Sequence, residues 1–172
     1  MSEPLTLARI NALDETGFVD ALGFAFEHSP WVVRRAWGAR PFASREALHA
    51  AMTAAVTAAA PAEQLALIRA HPELAGKAAI AKSLTAASQG EQASAGLDQL
   101  TEAEYQRFHA LNDAYRARFG FPFIICVRLH DKTSILAAMC RRLAAEPADE
   151  VAEALAQIGL ISRLRLDDAV TA

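Results

Sequence analysis

Apolar side chains recur at helical spacing along almost all of this chain, and that pattern alone restricts it to an all-α architecture. Phe18, Leu22 and Phe26 stand four apart, as do Leu48, Met52 and Val56. Tyr105, Phe108, Leu111, Asn112 and Tyr115 draw a longer stripe. Residues three and four apart share one helix face, so each run has one face to bury. Composition agrees: alanine supplies much of the 53% apolar share, and only 8 Gly and 7 Pro interrupt 172 residues. Alanine loses no side-chain entropy on ordering, which favours helix.

Caps and breakers divide the pattern. Pro4 to Leu13 reads as a short helix or turn, and Glu15 to Glu27 as a helix. Ser29 as N-cap and Pro30 at the first helical position open another, which stops near Gly38. Arg40-Pro41-Phe42 is a connection, and Ser44 caps a helix to about Ala59. Pro61 opens a helix that ends at His71, because Pro72 disfavours helical backbone in the residue before it. Residues 76–86 are short and Ala-rich. Ser88 begins a helix to about Leu97, with Ser88-Gln89-Gly90-Glu91 spaced as a capping box. Thr101 and Glu104 form a second box at the head of a helix to Phe119, and Gly120 suits a left-handed stop. Helices resume from Thr133 to Ala145 and from Ala148 to about Ala169. The expectation is an all-α, single-domain bundle of about eight to nine helices over 1–172.

One segment breaks the period. Phe121-Pro122-Phe123-Ile124-Ile125-Cys126-Val127 is apolar on every side, β-branched and aromatic. It reads as a short strand or buried extended stretch with no partner strand elsewhere. Buried extended backbone must find hydrogen-bond partners, and a ligand can supply them.

A formal charge of −3 leaves no electrostatic footprint for nucleic acid. The basic pairs Arg34-Arg35 and Arg141-Arg142 sit in helical patterns and read as solvated faces. Two cysteines, Cys126 and Cys140, make neither a disulfide framework nor a zinc spacing; both read as buried free thiols. The start, Met1-Ser2-Glu3-Pro4, has no signal-peptide pattern, and no apolar stretch reaches the ~20 residues of a membrane span. A cytoplasmic protein with no membrane contact is expected.

Five histidines show no metal-binding spacing, and no phosphate loop or nucleophile elbow is present. No metal and no cofactor are expected. His71 stands out by its place. Where a helix stops against a proline, a histidine can cap the last carbonyls, or it can face a cleft and carry a proton. The helix start at Ser88 can likewise be purely structural, or it can present Glu91 and Gln92 to a ligand. Arg163 and Arg165 are two apart on the last helix and so point to different faces, one toward solvent and one inward. Local pattern leaves these alternatives open.

Several blocks occur in one order: Glu27-His28-Ser29-Pro30-Trp31, Arg40-Pro41-Phe42, and His71-Pro72-Glu73-Leu74-Ala75-Gly76-Lys77. Ser88-x-x-Glu91-Gln92-x-x-Ala95-Gly96-Leu97 follows, then Phe119 through Arg128, then Ile161-x-x-Leu164-Arg165-Leu166. Together they resemble the 2-oxo-4-hydroxy-4-carboxy-5-ureidoimidazoline (OHCU) decarboxylases over nearly the whole chain. The resemblance implies a cofactor-free carboxy-lyase of urate degradation that turns OHCU into (S)-allantoin and CO2, typically as a homodimer. It implies His71 and Glu91 as catalytic residues. It implies Pro72, Ser88, Gln89, Gly90, Glu91, Gln92, Phe123, Ile124, Ile125, Cys126, Val127 and Arg165 as substrate-binding. Two rivals stand beside it: a non-catalytic helical interaction domain with Phe121 and Phe123 exposed, and a lyase or hydrolase acting on a related ureido-imidazoline.

Overall fold

The computed structural model describes residues 3–76 and 84–172. Most of the predicted Ala-rich stretch 76–86 lies outside them. Among the described residues there are nine α-helices and one two-stranded sheet, so the all-α expectation holds. By its internal contacts the chain forms two compact units.

The first unit comprises the chain up to Leu67 together with Gly159–Ala172. β1 (Leu5–Thr6) pairs in parallel with β2 (Val170–Thr171), Leu5 opposite Val170. Strands this short carry no alternation, and the sequence gives no sign of them. Thr6 caps α1 (Leu7–Ala12), Asp14 caps α2 (Glu15–Leu22), and Ser44 caps α4 (Arg45–Thr57), each side chain accepting a backbone N–H of the first turn. α3 (Pro30–Ala36) packs on both α2 and α4. Phe18, Leu22, Phe26, Val32, Val33, Leu48 and Met52 are buried, so the predicted faces do form the core. α5 (Pro61–Arg69) leaves this unit after Leu67.

Two expectations are corrected here. The helix predicted to reach Glu27 stops at Leu22 and tightens into a 3-10 turn, Gly23–Ala25. Ser29 occupies the N-cap position of α3 without capping it. Its hydroxyl donates instead to the Glu27 carbonyl at 2.8 Å, because His28 takes a left-handed φ of 43° and folds the chain back there.

The second unit is Ile68–Ile158. It holds α6 (Ala86–Ser94), α7 (Glu102–Phe119), a 3-10 turn (Val127–Leu129), α8 (Lys132–Arg142) and the first part of α9 (Pro147–Ala169). Thr101 caps α7 by accepting the Glu104 N–H, and Gly120 ends it at φ 77°. Glycine alone takes that left-handed backbone without a Cβ penalty. Phe108, Asn112 and Tyr115 of the predicted stripe are buried, and α7 packs against α8. α8 starts one residue before Thr133, behind a reciprocal Asp131–Ser134 capping box.

The Ser88 capping box does not form. α6 begins at Ala86, and Thr85 is its cap, accepting the Ser88 N–H at 3.3 Å. Thr85 starts the helix three residues earlier and takes the Ser88 N–H itself, so Ser88 sits inside the first turn rather than ahead of it.

Candidate active site

The second unit builds the site around the turn that follows α5. The His71 N–H closes the last turn on the Ile68 carbonyl at 3.2 Å, and His71 itself is buried. Beyond Pro72 the chain turns sharply, and Ala75 adopts φ 54°. A non-glycine residue there is strained and persists only when its surroundings fix it.

Those surroundings are two helices. Gln92 on α6 spends both ends of its amide on the turn: Oε1 accepts the Ala75 N–H at 3.0 Å, and Nε2 donates to the Glu73 carbonyl at 3.2 Å. Asn112 on α7 donates to the Leu74 carbonyl at 2.8 Å, and Arg116 pairs with Glu73. Asn112→Leu strips the buried Leu74 carbonyl of its donor at similar side-chain volume. Leaving a buried acceptor unsatisfied costs roughly 1–3 kcal/mol. The denaturant midpoint is expected to fall accordingly; an unchanged midpoint would show that Asn112 does not pin the turn.

Ser88, Glu91 and Gln92 lie three and four apart, on one face of α6. Ser88 and Gln92 are buried, while Pro72, Gln89 and Glu91 are half-buried and Gly90 is exposed. Gln89 lines an open cleft with Ala93, Leu97 and Tyr105. α6 also packs against the 3-10 turn that ends the 121–127 segment. Burial pushes the Cys126 thiol above its ordinary pKa, and the nearby Glu91 carboxylate pushes it further. One helix therefore meets the His71 turn through Gln92 and also packs against the 3-10 turn that follows Cys126.

Every residue from Phe121 to Val127 is buried. From Phe121 to Cys126 the segment is neither helix nor strand, with extended backbone at Cys126; Val127 opens the 3-10 turn, and no strand pairs with the segment among the described residues. Side chains of the protein satisfy part of its backbone. Gln157 accepts the Cys126 N–H at 2.9 Å, and Arg142 donates to the Ile124 carbonyl at 2.6 Å. The Arg142 guanidinium also lies 4.3 Å over the Phe123 ring. Sequence reasoning missed Arg142, Glu150 and Gln157. By sequence Arg142 is half of a basic pair expected on a solvated face, yet it is buried while Arg141 is exposed. Its register on α8 beside buried Ile135, Ala138 and Met139 was the available signal. Cys140, expected to be buried, is exposed; Cys126 is buried.

Arg165 belongs to the first unit. It is the inward member of its pair, buried, with Nη2 on the Glu27 carboxylate at 2.9 Å and Nη1 on the Phe24 carbonyl at 3.0 Å. Arg163 reaches Asp167 and Glu46 near the surface. Among the described residues no group of His, Cys, Asp and Glu could hold a metal ion.

The family model for OHCU decarboxylase matches residues 11–167. The 2-oxo-4-hydroxy-4-carboxy-5-ureidoimidazoline decarboxylase of Haloferax volcanii is 46% identical, covering 94% of both chains. The uric acid degradation bifunctional protein PucL of Bacillus subtilis is 42% identical over 96% of this chain, which spans 33% of that longer protein. Among solved structures, an (S)-allantoin synthase superposes with a TM-score of 0.77 at 30% identity over 98% of this chain, which spans 54% of that one. A match over this much of the sequence, at these identities, shows that the chain belongs to the OHCU decarboxylase family.

Proposed function

We propose that this protein is a cofactor-independent carboxy-lyase that converts OHCU to (S)-allantoin and CO2. The observation that carries it is the family match over residues 11–167, which includes the His71 turn, the α6 face and the 121–127 segment. A docking role for Phe121 and Phe123 lacks support, since both side chains are buried.

The substrate brings its own electron sink. The carbon that bears the carboxylate and hydroxyl adjoins a ring C=N bond. When the bond to CO2 breaks, its electron pair forms a ring C=C bond, and the C=N pair moves to nitrogen, which takes a proton. Ketonisation then moves the hydroxyl proton off oxygen and adds a proton to the neighbouring carbon, fixing its handedness. No external oxidant or reductant enters.

The protein has three tasks: to hold the ring, to accept shifted charge, and to deliver the proton to one face. Backbone groups of Phe123, Ile124, Ile125, Cys126 and Val127 would hold the ring and ureido groups by hydrogen bonds in a buried setting. Ser88, Gln89 and Gly90 on the first turn of α6, together with Pro72, would flank the ureido arm. Gln92 would act chiefly by fixing the 73–75 turn, since both ends of its amide are engaged there. Glu91 would draw a proton from the substrate hydroxyl, and His71 would deliver one to carbon. The proposed setting is a cytoplasmic homodimer. No single described helix is long and apolar enough to cross a membrane.

The test is CO2 release from freshly generated OHCU. Release faster than the unaided decay, and proportional to enzyme, is expected. Release at the unaided rate in excess enzyme would reject the assignment.

A further inference from the structure

Beneath the extended segment lies a buried polar cluster that the proposed mechanism does not use. Arg142 on α8 donates through Nε to Glu150 Oε1 at 2.6 Å, and its Nη2 faces the same carboxylate. The Tyr115 hydroxyl on α7 donates to that oxygen at 2.5 Å. Exposure is 6% for Arg142, 1% for Glu150 and 0% for Tyr115, so the cluster is almost fully removed from water. The Tyr115 ring stands edge-on to Phe123, centroids 5.3 Å apart and planes at 89°.

A buried ion pair is a poor device for stability alone. Hydrophobic residues of similar volume often do as well or better, because desolvating two charges is costly. What Arg142 supplies that a hydrophobe cannot is a fixed donor and a flat cationic face. Both are spent on the extended segment: Nη1 on the Ile124 carbonyl and the guanidinium plane on the Phe123 ring. That segment has no sheet ladder among the described residues to set its conformation. Arginine's planar fork suits such a task, since its five donors are preorganised. Glu150 and Tyr115 in turn hold the fork in place.

We propose that Arg142, oriented by Glu150 and Tyr115, is a positioning residue for catalysis: by holding the Ile124 carbonyl and the Phe123 ring it fixes the backbone of 123–127 against which the substrate binds. This rests on the functional reading above. Arg142 acts through the segment and touches no reacting atom.

The decisive variant replaces both charges at once, Arg142→Met with Glu150→Leu, so that no buried charge is stranded. The thermal midpoint should fall modestly, because the Ile124 carbonyl and the Tyr115 hydroxyl lose their partners, while the protein stays folded. KM for OHCU should rise at least about tenfold with kcat within about threefold, the signature of lost uniform binding. Tyr115→Phe, which removes only the hydroxyl, should raise KM by a smaller factor in the same direction. Arg142→Lys serves if the double variant fails to fold: a point charge cannot reproduce both contacts, and the same KM rise is expected. An unchanged KM in a folded double variant, or in Arg142→Lys, overturns the proposal. Amide hydrogen exchange separates this from failure of the decarboxylase assignment. The amides of 123–127 should exchange at least tenfold faster in the variant than in the parent, whatever the substrate. Unchanged exchange there would overturn the positioning role even if the enzyme is active.

Discussion

His71→Asn is expected to slow enzymatic (S)-allantoin formation by at least about 10²-fold, the lower end of what a positioned acid or base contributes, while the helical circular dichroism stays in place. The fold should survive because other groups also hold the turn. The His71 backbone N–H closes α5, and the next residues are held from outside by Gln92, Asn112 and Arg116. Asparagine keeps a polar group in that buried place but cannot exchange a proton near neutral pH. The measurement is the rate of optical-rotation growth under excess OHCU, with the uncatalysed decay subtracted. A rate within a few-fold of the parent would remove His71 from the chemistry and leave it as the cap that its position before Pro72 also allows.

Glu91→Gln should lose a comparable factor, about 10²–10⁴ in kcat, since the amide is nearly isosteric but cannot take a proton. It also carries a readout independent of turnover. The Glu91 carboxylate adds to burial in raising the Cys126 thiol pKa. Neutralising it removes the smaller of those two effects, so the Cys126 pKa should fall. Thiolate absorbance followed against pH in a Cys140→Ser background, where the exposed thiol is gone, reads that shift directly. A lower pKa with lost activity is the expected pair. Full activity would exclude Glu91 as the acid–base partner, and an unmoved pKa would contradict its closeness to Cys126.

The helical faces were legible because spacing alone determines which residues share a side. Phe18, Leu22 and Phe26 are buried together although their helix ends four residues short of Phe26. Caps were legible only in part. Thr85 and Ser88 both have the right chemistry, and spacing to a downstream Glu favoured the wrong one: α6 begins at Ala86, with Thr85 ahead of it. The 121–127 segment was recognisable as buried and outside the helical period, because it is apolar at every position. What satisfies its backbone was not, since Arg142 and Gln157 lie 18 and 31 positions from the groups they bind. Contacts at that separation leave no trace in a local pattern. Gln92 shows the same limit: its sequence position suggested a ligand contact, whereas the structure gives both ends of its amide to the turn after His71.

OHCU loses CO2 unaided, so the handedness of its product is the most direct test of the central claim. OHCU generated in the presence of excess enzyme should give allantoin of a single hand, the (S) form, read as a stable circular dichroism signal at complete conversion. Racemic allantoin under those conditions would contradict the assignment of this chain as the catalyst that protonates one face.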